Sequence, residues 1–150
     1  MKKLSKITSG IAGVYSAAAE LSKQGYIASI TLRNTKGIDI MVANEDATKT
    51  VGVQVKTNQG SLDWWLLSDK AEDYFAENLF YVFVNLNKGK EPDFFIVPSK
   101  IVAPFVKKSH REWLTTPGKK GQKHKDNSMR WFQDKDKQYL NRWGLLGLDK

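Results

Sequence analysis

The chain has 150 residues, of which 41% are hydrophobic and 27% charged, and its formal net charge at pH 7 is +8. This size and composition fit one domain with a buried core of its own. The absence of cysteine excludes disulfides, thiolate metal sites and cysteine nucleophiles, and two histidines argue against a multi-histidine zinc site.

The sequence contains no apolar run near the roughly 18 residues that a membrane-spanning helix needs. Its N-terminus, residues 1–6, is basic, but no apolar segment long enough for a signal peptide follows it. We therefore expect a cytoplasmic protein without membrane contact.

A helix and three strands are predicted in the first part of the chain. Ser9 is a suitable N-cap, apolar residues follow it at helical spacing, and Gly25 provides a C-terminal stop. Residues 26–32 are rich in β-branched side chains and predict a first strand. Residues 37–43 and 50–57 alternate apolar and polar side chains and predict a hairpin.

The rest of the chain predicts a second set of elements without an internal repeat or a domain boundary. Residues 79–86 are apolar almost throughout, which is typical of a strand covered on both faces. The predicted elements are a short helix at 69–77, strands at 79–86 and 93–97, a helix at 99–114, an exposed loop at 115–128 and a packed aromatic segment at 131–143.

The positive charge is clustered near the C-terminal end. Residues 107–125 contain seven basic residues and one acid, Glu112, and so carry a net charge of +6. Lysines that neutralise phosphates release counterions, so such a stretch predicts a polyanionic partner. A solvated loop in a basic protein explains the charge equally well.

Side-chain alternation fixes the register of the predicted hairpin. Each strand has one apolar set, and a slip by one residue would turn one of these sets to solvent. The pairs that bury both sets are Val42 with Val51, Ile40 with Val53 and Ile38 with Val55.

The same register brings three polar residues together. Asp39 then lies opposite Gln54, with Lys56 two residues further on, so all three are expected on the non-core face. A polar strand face is commonly only solvated, but carboxylate and amide oxygens also suit a hard cation such as Mg²⁺. A bound cation polarises a phosphoryl oxygen, and a neighbouring lysine orients the attacking water. In outline this is a site for phosphodiester hydrolysis.

Two short motifs carry a resemblance to a known family. G-I-D-I, with Asp39, and Q-V-K, with Gln54 and Lys56, resemble the motifs of the PD-(D/E)XK nuclease superfamily, over about residues 10–98. The Q-x-K form is similar to that of the methyl-directed restriction endonucleases. The resemblance implies the restriction-endonuclease-like αβββαβ core, an α/β fold with a central mixed sheet flanked by helices. Residues 99–150 would form a C-terminal helical extension of this single domain, 1–150.

The resemblance also implies roles for the motif residues. Asp39 would be the central metal ligand, Gln54 a second ligand of Mg²⁺ or Mn²⁺, and Lys56 the residue that positions the attacking water. One position departs from the family pattern, since Val14 stands where an acid is usual near the start of the first helix. Glu20 lies about 240° around the helix and so faces elsewhere, which favours a solvated surface acid over a substitute for the missing one.

Further residues are candidates for binding nucleic acid. Trp64 and Trp65 follow the third strand, where an indole could stack on a base. Packing against the core explains them as well, and we expect at least one of them to be buried. Surface exposure alone accounts for the other candidates. The predicted nucleic-acid-binding residues are Arg33, Lys36, Asn58, Trp64, Lys119, Lys120 and Lys123.

The sequence supports two functions of different classes. The first is a metal-dependent phosphodiesterase or endonuclease acting on nucleic acid, DNA in particular, and we favour this enzyme. The second is a catalytically degenerate protein of the same fold that binds nucleic acid or a partner protein, as Val14 suggests. A homodimer is an open alternative to a monomer because a duplex presents two strands.

Overall fold

The computed structural model of the protein describes residues 2–32 and 35–149. Its helices and strands are α1 (Lys6–Lys23), β1 (Ile27–Ile30), β2 (Ile40–Ala43), β3 (Thr50–Asn58), β4 (Trp64–Ser68), β5 (Leu79–Asn85), β6 (Asp93–Pro98), α2 (Ser99–Thr115) and β7 (Met129–Gln133). Short 3₁₀ turns lie at Asp69–Glu72, Asn87–Gly89 and Trp143–Leu146.

Within the described ranges, five strands form a central sheet in the order β1-β2-β3-β5-β6. β3 and β5 are parallel, and the other neighbouring strands are antiparallel. The predicted α/β fold with a central mixed sheet and flanking helices is therefore confirmed. β4 and β7 pair with each other as a separate antiparallel ribbon.

Helix α1 begins earlier than predicted. Its N-cap is Ser5, whose side chain accepts a hydrogen bond from the backbone N–H of Thr8 at 3.1 Å. Ser9, the predicted cap, lies inside the helix, is buried, and donates its hydroxyl to the carbonyl of Ser5 at 2.7 Å. The predicted stop is correct, since Gly25 has a positive φ of 88° just after the helix.

The connection from β3 to β5 differs from the predicted helix at 69–77. Only Asp69–Glu72 is helical, as a 3₁₀ turn, and Ser68 makes no side-chain cap. Asp69 N–H instead donates to the carbonyl of Ser128, at the start of the ribbon. The Ser99 hydroxyl bonds both backbone groups of Ala76, so this side chain takes up groups that a longer helix would use itself.

Two hydrophobic clusters cover the two faces of the sheet. The α1-face core is mainly aliphatic and joins α1 to the sheet and to the C-terminal residues 143–148. The α2-face core is rich in aromatic residues and joins the sheet to α2 and to the ribbon. The sheet is thus covered on both sides.

The C-terminal part is more than the helical extension that the sequence predicts. After α2, residues 116–128 form no helix or strand and are largely exposed, as predicted for this loop. The chain then returns as β7 and pairs with β4, because Phe132 and Arg130 turn inward between exposed neighbours. No helix in the described part of the chain is long and apolar enough to cross a membrane.

Candidate active site

The hairpin has the predicted register over most of its length. Val42 pairs with Val51 and Ile40 with Val53, as the alternation requires. The third predicted pair, Ile38 with Val55, is wrong. β2 begins only at Ile40, and the Cδ1 of Ile38 lies 3.2 Å from where a Cβ on Gly52 would stand. Ile38 therefore lies on the Gly52 face of β3 instead of the valine face.

Asp39 causes this change because it takes over the end of the ladder. Its backbone N–H donates to the carbonyl of Val53 at 2.8 Å. Its side-chain Oδ2 accepts the backbone N–H of Val55 at 2.7 Å, which a longer β2 would have paired. On the other side, the N–H of Thr31 donates to the Asp39 carbonyl at 3.0 Å. The carboxylate is thus fixed at the edge of β3, and among the described residues no group donates to its Oδ1.

Gln54 and Lys56 point to the opposite side from the valines of β3. Both line a cavity of about 260 Å³, together with Tyr74, Tyr81 and Lys36. Burial lowers the pKa of Lys56, and the nearby Asp39 carboxylate opposes that shift. The predicted shared face is therefore confirmed for Gln54 and Lys56.

Asp39 lies at the border of that face and does not line the same cavity. It lines a groove of about 700 Å³ against α1, together with Val55 and Val14. Its charge still affects the cavity of Gln54 and Lys56, since burial and the Asp39 carboxylate together raise the pKa of Tyr74, which lines that cavity. The prediction that all three polar residues project from one face is therefore wrong for Asp39, because its carboxylate bonds the backbone at the strand edge.

The donor set around Asp39 contains one carboxylate. Val14, at the position where the family pattern has an acid, is half-buried and lines the groove beside Asp39. Glu20 pairs with Lys23 at the surface, 3.5 Å apart. The described residues contain no group of three or more His, Cys, Asp or Glu side chains that could hold a metal ion. Asp39 Oδ1 and the Gln54 amide oxygen are ligands of the type that suits Mg²⁺ or Mn²⁺, but the two side chains line different cavities.

Comparisons with known proteins give one fold-level result. No family model and no curated protein matches the chain. Among solved structures, the chain is similar to a bacterial homing endonuclease, I-Ssp6803I, with a TM-score of 0.58 and 14% sequence identity. The match covers 96% of this chain and 92% of that one. The fold is nuclease-like. At this identity the likeness shows the fold alone.

The predicted nucleic-acid-binding residues have different places in this nuclease-like fold. Lys36 lines the cavity of Gln54 and Lys56. Asn58 donates its amide to the carbonyl of Trp64 at 2.7 Å and to Asn85 at 3.2 Å, which gives it a structural role at the end of β3. Trp64 is 41% exposed, whereas Trp65 is buried and donates its indole N–H to Val84.

The remaining candidates are not brought to the polar site. Lys119, Lys120 and Lys123 are exposed in the loop after α2 and line none of the cavities that hold Asp39, Gln54 or Lys56. Arg33 falls outside the described residues.

Tyr74 is a site residue that the sequence did not indicate. It lies in the segment predicted as a helix. That segment is not helical beyond Glu72, and the Tyr74 side chain lines the cavity of Gln54 and Lys56. The Tyr74 hydroxyl donates to the carbonyl of Gly37 at 2.7 Å. A Cβ on Gly37 would lie 2.3 Å from the Tyr74 hydroxyl oxygen. Gly37, with a φ of 71°, therefore permits the contact that holds the chain just before Asp39.

Proposed function

We propose that this protein is a metal-dependent phosphodiesterase that cleaves nucleic acid, DNA in particular, in the cytoplasm. The observation that carries the proposal is the Asp39 carboxylate at the edge of β3 beside the largely buried Lys56. Burial disfavours the charged form of Lys56, and a desolvated lysine near a carboxylate is typical of functional sites. The fold shared with a homing endonuclease supports the same substrate class.

Each residue has one task in this proposal. Asp39 Oδ1 and the Gln54 amide oxygen would hold the ion, and the Val55 N–H keeps the carboxylate from rotating. Lys56 donates to the attacking water or to the developing negative charge. A bound Mg²⁺ would polarise the phosphoryl oxygen and lower the pKa of its water.

The test is cleavage of plasmid, single-stranded DNA and RNA with Mg²⁺ or Mn²⁺ by the wild type and by three variants. We expect Asp39→Asn and Lys56→Met each to reduce the rate by at least about a hundredfold, since each removes a group that acts on the transition state. The control Lys70→Met changes an exposed lysine of the same cavity and should keep most of the rate. Cleavage that survives in both site variants would refute the proposal.

A second candidate function is a catalytically degenerate binder of nucleic acid. The specific observation in its favour is Val14, which leaves the groove at Asp39 with a single carboxylate. This candidate predicts salt-dependent binding without cleavage of any substrate, whatever the metal. The molecular mass in solution, measured with and without a duplex, distinguishes a monomer from a homodimer.

A further inference from the structure

The ribbon of β4 and β7 has an apolar outer face. Along both strands, buried side chains alternate with exposed ones, as in a ribbon that packs on a core with one side only. Solvent-facing positions of such a ribbon are usually polar, yet four of them are large and apolar here. They are Trp64 (41% exposed), Leu66 (43%), Met129 (57%) and Trp131 (37%).

The two tryptophans on this face are diagonal neighbours in the ladder. Leu66 lies directly opposite Trp131 in the ladder, so Trp64 is the diagonal neighbour of Trp131. Diagonal neighbours in a sheet are about 7–8 Å apart at the backbone, within reach of large rings. The ring of Phe105 on α2 meets Trp131 edge to face, with centroids 6.1 Å apart, and so limits its rotation. Both indoles therefore lie on the same exposed face of the ribbon.

This face continues into the candidate active site. Leu66 and Ser68 line a cavity of about 390 Å³ whose other walls include Lys56 and Lys6. At one end of the ribbon Ser68 pairs with Met129. This end comes shortly after the basic residues 107–125 in the chain. The opposite end holds two acids, because Asp134 N–H donates to the carbonyl of Asp63. Lys56 and Lys6 therefore lie beside the Ser68 end of the ribbon, and Asp63 and Asp134 lie at the far end.

The charge identifies the kind of partner. Residues 107–125 carry a net charge of +6 and lead directly to β7, which packs on α2. An apolar surface flanked by lysines complements a polyanion that also has flat apolar faces. A nucleic acid strand with unpaired bases has both features, whereas the bases of a duplex are stacked on one another and expose no face.

We propose that Trp64, Leu66 and Trp131 form a stacking platform for unpaired bases of a nucleic acid strand, whose phosphates lead along the Ser68 end to Lys56. The proposal rests on the function proposed above and names its substrate class, single-stranded or locally unpaired nucleic acid. Stacking on aromatic side chains tolerates any sequence because every base has a π-face.

Binding without metal tests the platform separately from cleavage. In EDTA, the full-length protein is titrated into fluorescein-labelled oligothymidylate, oligouridylate and a duplex of the same length. Trp64→Ala and Trp131→Ala should each weaken both single strands by about fivefold or more. Affinity for the duplex should change by less than about twofold, since its bases cannot stack on the platform. Trp131→Phe should keep most of the affinity.

The control is Leu145→Ala, which removes an apolar side chain as exposed as Trp131, at 37%, from the C-terminal 3₁₀ turn. It should leave all affinities unchanged. If the tryptophan variants weaken one type of single strand only, the platform is assigned to that type. Unchanged single-strand affinity in both alanine variants, or an equal loss for the duplex, would overturn the proposal.

Two measurements on the wild type keep the proposal falsifiable if a variant fails to fold. Oligothymidylate should reduce acrylamide quenching of tryptophan fluorescence, and unchanged quenching at saturation would overturn the platform. Sedimentation of the free protein tests a second copy of the chain as the occupant of this face. An oligomer that oligothymidylate does not dissociate would count against the platform. Cleavage of single-stranded DNA at the wild-type rate by variants that bind single strands poorly would refute the platform's role while leaving the proposed nuclease activity.

Discussion

The two faces of the central sheet are built on different packing principles. On the α1 face, small residues let the helix approach the strands closely, and Gly13 faces Thr57 with no room for a Cβ. On the α2 face, large rings fill the space, as in the stacked pair Phe83 and Phe132, with centroids 4.9 Å apart. Large rings around the ribbon leave the cavity into which Gln54 and Lys56 project, whereas the α1 face has the groove that Asp39 and Val14 line.

This difference explains why the candidate site lies at a border. The α1 face offers the groove with an apolar Val14, and the α2 face offers a lysine and an amide. Asp39 lies between the two, because it lines the groove on the α1 face while its carboxylate bonds the backbone of Val55 where β2 ends. A change on one face should therefore have a different consequence from a change on the other.

The largest effect is expected on the α2 face, at the ion pair that anchors the ribbon. Arg130 is buried and its Nε donates to Glu72 at 2.6 Å. Glu72→Ala leaves the guanidinium with only backbone acceptors, so we expect a loss of about 3 kcal/mol in the free energy of unfolding. Urea denaturation measures it. The control Glu77→Ala breaks the exposed pair with Lys100 and should cost under about 1 kcal/mol. Equal effects of the two changes would contradict this view of the ribbon.

The α1 face provides a matched pair of glycines in one helix. A Cβ on Gly13 would lie 1.8 Å from Thr57 Oγ1, whereas a Cβ on Gly10 meets nothing within 4 Å. Gly13→Ala should therefore destabilise the fold by about 1–3 kcal/mol through overpacking. Gly10→Ala should stabilise it by about 0.5–1 kcal/mol through helix propensity. Thermal unfolding of the two variants must shift in opposite directions, and a shared sign would show that the close approach is not what limits this face.

Val14→Glu tests whether the α1 face can supply the missing acid. Its side chain would enter the groove that Asp39 lines and add a negative charge. We expect Mn²⁺ affinity to rise by about tenfold or more, since a second carboxylate near the ion adds charge-based binding. Val14→Gln is the control of equal shape, and calorimetric titration should show little change for it. Identical affinities for the Glu and Gln variants would place Val14 away from any metal site.

The smallest effect is expected from Lys56→Met, which removes the cost that burial of a charged lysine adds to folding. Burial lowers its pKa in the folded state below 10.5, its ordinary value, so the charged form is disfavoured by folding. Lys56→Met should therefore raise the melting temperature at neutral pH. Wild-type stability should recover as the pH rises from the lowered pKa towards 10.5, so the gain from Lys56→Met shrinks there. A variant that melts lower than the wild type at neutral pH would contradict the burial of this charge.

The fold could be predicted from the sequence wherever side chains alternate with a clear period. Val42 with Val51 and Ile40 with Val53 follow from burial of both apolar sets, and the α/β class follows from the order of the elements. The ribbon could not be predicted, since its strands lie 60 or more residues apart and pair through a register that no local pattern states, as Leu66 with Trp131 shows.

Of the candidate site, the sequence predicts the shared face of Gln54 and Lys56 but neither the position of Asp39 nor the presence of Tyr74. Lys56 and Gln54 share a face because strand alternation is local. Asp39 leaves that face because its own carboxylate competes for the Val55 N–H, a contact that alternation does not consider. Tyr74 was missed because its position depends on the bonds that Ser99 makes with Ala76.

The claim that Asp39 holds the catalytic ion is tested most directly by measuring Mn²⁺ binding with electron paramagnetic resonance, with and without oligothymidylate. Lys56→Met provides a background in which the strand should stay intact. We predict weak binding alone and tighter binding with the oligonucleotide, because phosphate completes the ligands of Asp39 Oδ1 and Gln54. Adding Asp39→Asn should abolish both. Equal Mn²⁺ binding with and without Asp39→Asn would contradict the account.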